Sequence, residues 1–215
     1  MNWYRRKTWT ANGRADFYAR LARARASNRA QYLRIQAVEL LDDPSPENVG
    51  GAIELLKTLL STYPDQMQLA ATYQSLGDCA ALNGETSAAL DYYREAFAQQ
   101  RAFLNVLTNV HLSFALLVAE QQLRASYDEA LAALDEFRHS LTFPLDDFRE
   151  FVARAMIHAA EGSPKLAHDY ACRALDEAAK SNSGFRNHPT LGLVGAADAA
   201  RVERMRAIIE QNATG

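Results

Sequence analysis

The chain has 215 residues, 48% of them hydrophobic, with only six prolines and ten glycines, which is ample for a core and excludes a low-complexity or fibrous chain. No stretch of about 18 apolar residues occurs, which excludes a membrane-spanning helix, and Ala, Leu, Glu and Arg favour helix throughout, so the predicted class is all-α. The net charge of −3 hides a polarity, since residues 1–34 hold nine Lys or Arg against the single acid Asp16, giving +8 there and −11 over the remainder.

Residues 1–13, MNWYRRKTWTANG, hold both tryptophans, a tyrosine and three consecutive basic residues, and they end on the turn signal Asn12-Gly13. Trp3, Tyr4, Arg5, Arg6, Lys7 and Trp9 have the composition of a contact arm for an acidic partner or a nucleic acid. The alternative is that both tryptophans fold back as a cap and the basic residues pack on the protein's own acids. The polar, aromatic opening is not that of a secretory leader, and with only Cys79 and Cys172 the expected compartment is the cytoplasm.

A helix over 14–27 carries Phe17 and Leu21 on a narrow stripe, and its Arg20, Arg23 and Arg25 do not all share one face. Asn28 is placed to cap a second helix reaching about Leu41. Pro44 and Pro46 then break the chain, Ser45 suits an N-terminus, and a helix over 46–62 places Ala52, Leu56 and Leu59 on one stripe.

Residues 70–99 read as a complete helix-turn-helix unit. Tyr73, Leu76, Gly77 and Ala80 share a face of a helix ending near Leu82, Asn83-Gly84 breaks it, and a helix from Thr86 carries Ala89, Tyr93 and Ala96. The pattern aromatic-x2-Leu-Gly-x2-small followed by Ala-x3-aromatic resembles a tetratricopeptide repeat. Pro64 falls where that family places its terminal proline.

Further along, the apolar segment 103–120 is expected as one buried helix, interrupted by Asn105, Asn109, His111 and Ser113. A turn at 121–126 leads into a second-helix pattern over 127–137 with Ala130, Leu134 and Phe137. Phe143-Pro144 closes that pair. Phe151, Ala155, His158, Gly162, Ala167, Ala171 and Ala174 then repeat the register of Tyr73, Gly77, Ala80, Gly84, Ala89, Tyr93 and Ala96 at a distance of 78 residues. Residues 181–195 form a loop with Phe185, Arg186, Asn187 and His188, and a helix over 196–211 caps the end.

The resemblance implies a right-handed α-solenoid of about four helix pairs, with an N-terminal helix and a C-terminal capping helix, in one continuous domain over 1–215. It also implies that function lies on the inner faces of first helices, where an extended peptide or partner helix binds. In the central unit that leaves Gln74, Asp78 and Ala81 toward the groove, and in the later unit Val152, Met156 and Ala159, flanked by Arg149. The arm residues Trp3, Tyr4, Arg5, Arg6 and Trp9 and the loop residues Phe185, Arg186 and His188 are the second set of candidate contacts.

Catalytic chemistry finds no motif. The histidines at 111, 139, 158, 168 and 188 form no HExxH pattern, there is no Cys-x2-Cys, GLVGAA at 192–197 lacks the strand and Lys-Ser/Thr of a phosphate loop, and no GxSxG occurs. Asp42-Asp43 and Asp146-Asp147 sit where they serve helix dipoles. No cofactor or metal is expected. The leading expectation is a non-enzymatic protein-interaction module, with Ala- and Arg-rich usage of bacterial style. The alternatives are an acidic immunity protein neutralising a basic toxin enzyme and an RNA- or DNA-binding protein using the arm. An enzyme would need Arg186 and His188 in a pocket. Oligomeric state is not readable, although an uncapped end pair would promote dimers.

Overall fold

The computed structural model describes residues 2–138 and 143–213, except the side chains of 212 and 213. Ten α-helices and no strand occur among the described residues, and His139 lies outside them. Among the described residues no helix is long and apolar enough to cross a membrane. The chain divides into two compact units, Met1–Val110 and His111–Gly215.

In the first unit, helix α1 spans Ala11–Arg23 and begins earlier than the Asn12-Gly13 turn signal suggests. Thr10 is its N-cap, its hydroxyl accepting the Gly13 N–H at 3.2 Å, so Asn12 and Gly13 fall inside the first turn. Ala24 is extended (ψ 155°) and Arg25 has ψ 136°, which ends α1 and starts α2, Ala26–Leu41. Asn28 therefore sits within the first turn of α2 instead of capping it. Arg29 holds this corner by donating to the carbonyls of Ala24 at 3.1 Å and Ala22 at 2.8 Å, groups that the end of α1 leaves without helical partners.

Helix α3, Pro46–Thr62, starts with Pro46 at a position needing no amide hydrogen, and the Ser45 hydroxyl accepts the Asn48 N–H at 3.2 Å. Asp65 caps α4, Gln66–Leu82, and Gly84, at φ 75°, turns the chain into α5, Thr86–Ala102. α2 packs on α3 and α4 on α5, while α4 also contacts α3 and α2. At Gly77 an added Cβ would lie 2.4 Å from the Tyr93 ring, so this glycine sets how closely α4 and α5 approach. Phe17, Leu33, Leu40, Leu55, Leu56, Leu59, Leu76 and Cys79 form the core.

The single helix expected over 103–120 is shorter. Phe103 ends α5 and helix begins again only at Val110. Across this gap the side chain of Gln100, in the last turn of α5, accepts the Thr108 N–H, and the Thr108 hydroxyl accepts the Val110 N–H. These side-chain oxygens satisfy the backbone locally, in competition with a helical ladder.

The second unit contains α6 (Val110–Glu120) from His111 onward, a 3-10 turn (Arg124–Ser126), α7 (Tyr127–Glu136), α8 (Pro144–Ala160), α9 (Pro164–Ala178), a second 3-10 turn (Ala196–Asp198) and α10 (Ala199–Ala213). α8 packs against α7, α9 and α10, which buries it from Phe148 to Ala155 except at Arg149. The corner between α8 and α9 reproduces the one between α4 and α5. Gly162 has φ 74° against 75° at Gly84, and the Ser163 N–H bonds the His158 carbonyl at 2.9 Å as Glu85 bonds Ala80 at 2.8 Å. Ala167, Ala171 and Ala174 are fully buried, as are Ala89 and Ala96.

Candidate functional site

The basic arm lies against α2 and α3 of its own unit. Gln36, fully buried on α2, clamps the arm by its backbone, its side chain accepting the Arg6 N–H at 2.9 Å and donating to the Arg6 carbonyl at 2.8 Å. Asn48 on α3 donates to the Lys7 carbonyl at 3.0 Å. Arg5 pairs with Glu39, Arg6 with Asp16, and Lys7 with Glu39 at 2.8 Å and Asp42 at 2.7 Å. The Lys7 hydrogen bond and then that of Arg5 hold the Glu39 carboxyl below the usual range, and the bonds to Asp42 and Glu39 raise the Lys7 amine.

The aromatic part of the arm is equally engaged. Trp9 is only 8% exposed, and its ring fills the space over Gly51, where an added Cβ would fall 2.3 Å from the indole. Trp3 lies half-buried against Phe17, Tyr4 and Tyr32. Trp9 is thus a core residue, and Arg5, Arg6 and Lys7 spend their charge on the protein's own acids.

The groove positions divide. Gln74 and Ala81 are half-buried on α4, but Asp78 accepts a 2.8 Å hydrogen bond from the buried Tyr93 hydroxyl and ties α4 to α5. In the second unit Val152 is fully buried and faces no open groove, because three helices surround α8. Met156 is half-buried and Ala159 exposed. Arg149 lies 3.9 Å from Asp198, which Arg201 holds at 2.7 Å.

A residue between α2 and α4 that helical spacing did not single out is Arg34. It projects from α2 to α4, donating to the Gln68 carbonyl oxygen of the side chain at 2.6 Å, and is half-buried. Burial lowers its pKa and no carboxylate offsets this. Val38, one turn along the same face, is 40% exposed, and Met67, beside Gln68, is 51% exposed.

The 181–195 loop is tied to itself and to α8. Ser183 bonds the Pro189 and His188 carbonyls at 2.8 and 3.0 Å, and the Leu145 N–H donates to Gly192 at 2.9 Å. Phe185 packs on Phe143 at 5.1 Å between centroids, while Arg186 and His188 are exposed and line neither of the two clefts described below. His158, expected in the core, is half-buried and stacks on Tyr170 at 5.6 Å.

Of the cysteines, Cys79 is fully buried and burial pushes its thiol up to about 12, which leaves it inert at neutral pH. Cys172 Sγ lies 3.6 Å from His168 Nε2, an i, i+4 contact. Among the described residues no three His, Cys, Asp or Glu groups are placed to hold a metal ion.

Two clefts stand out, one of about 620 Å³ where α1 meets α2 and one of about 360 Å³ between α9, α10 and Val194. No protein-family model, curated protein or solved structure matches the chain.

Proposed function

We propose that the chain is a non-enzymatic protein-binding module of tetratricopeptide type, and that the face shared by α2 and α4 takes an extended acidic segment of a partner protein. The repeat reading is supported by the hairpins α2–α3 and α4–α5, by α2 lying alongside α4 as first helices of successive units do, and by the identical corners at Gly84 and Gly162.

Arg34 is the observation that carries the partner's chemistry. A guanidinium drawn half out of water against a neutral amide, with no acid beside it among the described residues, gains most from a carboxylate supplied in trans. The exposed Val38 and Met67 give that segment apolar contact on either side. The basic arm is turned to its own acids, which weighs against nucleic acid as its target.

The test is affinity capture from the source cell with wild type, Arg34→Glu and Lys57→Glu, the last an exposed change on α3. A partner held by wild type and Lys57→Glu and weakened at least about tenfold by Arg34→Glu is the expected result. Equal capture by Arg34→Glu, with its circular dichroism unchanged, overturns the assignment.

A further inference from the structure

The corner between α1 and α2 gathers residues from three stretches of chain. Arg20 and Arg23 come from the last turn of α1, Arg25 from the extended link, and Asn28 from the first turn of α2. With Trp3 and Tyr32 they line a cleft of about 620 Å³, a size that suits a small organic ligand. The two extended residues, Ala24 and Arg25, redirect the chain so that Arg25 lines the same cleft as Arg20 and Arg23, and the Arg29 bonds to Ala22 and Ala24 hold that bend in place.

The charge of the cleft is largely uncompensated. Asp16 pairs with Arg20 at 3.0 Å and is also engaged by Arg6. Arg23 uses Nε on the Ala19 carbonyl at 3.2 Å, which leaves its terminal nitrogens available. Arg25 is exposed, and its guanidinium has no hydrogen-bond or ion-pair partner among the described residues, the Asn28 N–H bonding only its backbone carbonyl at 3.0 Å. One wall is aromatic and stiff, because Trp3 meets Tyr32 at 5.1 Å, edge to face, and Tyr32 stacks on Tyr4 at 4.4 Å.

We propose that this cleft binds a nucleotide, its phosphates held by Arg20, Arg23 and Arg25 and its base laid against Trp3 and Tyr32. Guanidinium forks match phosphate oxygens two at a time, and several of them in one concavity fit a polyphosphate better than a single carboxylate. A planar ring on the same ligand uses the aromatic wall. A longer single strand would need a cationic track leading away from the cleft. The arm residues nearest in sequence, Arg5, Arg6 and Lys7, are committed to Glu39, Asp16 and Asp42.

Titration calorimetry and tryptophan emission on the full chain, at low ionic strength, test this with ATP, inorganic triphosphate, adenosine and a single-stranded oligonucleotide. Trp9 is buried away from solvent, so quenching reports on Trp3. The expected result is saturable ATP binding with quenching, triphosphate weaker and without quenching, and no adenosine binding below about 1 mM. Arg23→Glu and Arg25→Glu should each weaken ATP at least about tenfold, while Lys57→Glu, an exposed change on α3, leaves it unchanged. Both arginines are exposed, and a native circular dichroism spectrum for each variant confirms that folding is kept. Absence of ATP binding, equal affinity for triphosphate, indifference to Arg25→Glu, or binding of the oligonucleotide alone would each overturn the proposal.

Discussion

Gly50 and Gly51 are neighbours on α3 and answer to opposite physical demands. A Cβ on Gly51 would collide with the Trp9 indole at 2.3 Å, whereas one on Gly50 meets nothing within 4 Å. Gly51→Ala must therefore expel or tilt Trp9, and destabilisation of roughly 1–3 kcal/mol is expected in urea unfolding followed by tryptophan emission. Gly50→Ala should stabilise by roughly 0.5–1 kcal/mol, since it removes a helix-interior glycine at no steric cost. An unchanged midpoint for Gly51→Ala would mean that Trp9 is not docked there. Helical spacing made Gly77 legible as a close-approach residue, because it stands between Tyr73 and Ala80 on the packing stripe. It did not make Asp78 legible. A wheel assigns a direction to each residue on one helix, and what captures Asp78 is a hydroxyl reaching over from Tyr93 on the next.

The N-terminal segment behaves as an element whose docking is electrostatic at its rim and apolar at its centre. Glu39, held below its ordinary value of 4.5 first by Lys7 and then by Arg5, contributes stability that is present above that value and lost as pH falls through the depressed one. Lys7, raised above 10.5 by Asp42 and then Glu39, contributes stability that is present below 10.5 and lost as pH rises through the raised value. A plateau between these limits is expected in the wavelength of tryptophan emission, with a red shift on the acid side. Glu39→Gln should remove the acid limb, and an acid limb that survives it would assign the transition to another carboxylate. Both possible fates of the arm are readable in its composition, since Trp beside Arg serves a contact surface or a cap equally well. What decides between them is Gln36, a buried amide matched to the Arg6 backbone, and no local pattern announces such a pairing. The α1–α2 corner was hidden for a related reason, because Arg25 falls off the face that Arg20 and Arg23 share on a continuous helix and joins them only once two extended residues end α1.

At the scale of the whole chain, the register repeated over 78 residues was legible because small residues and a left-handed glycine recur at fixed spacing. The division into two units was not, because it rests on which helices surround α8 and which surround α4. Each unit carries its own test of cohesion. In the second, Arg154 is 5% exposed and bonds Glu150 at 2.7 Å and Asp135 at 2.6 Å. Burial works against its charge, but those two bonds outweigh it and the proton is held more tightly than usual. Arg154→Ala strands the buried Glu150 carboxylate and should cost roughly 3–5 kcal/mol, whereas Glu150→Gln with Arg154→Met should recover most of the loss. Both tryptophans belong to the first unit, so emission follows that unit and circular dichroism follows both. Arg154→Ala is therefore expected to shift the helical signal lost in urea while leaving the tryptophan transition in place, and Gly51→Ala to shift the tryptophan transition. If both probes and both variants instead trace one shared transition, the two compact units unfold as a single cooperative body.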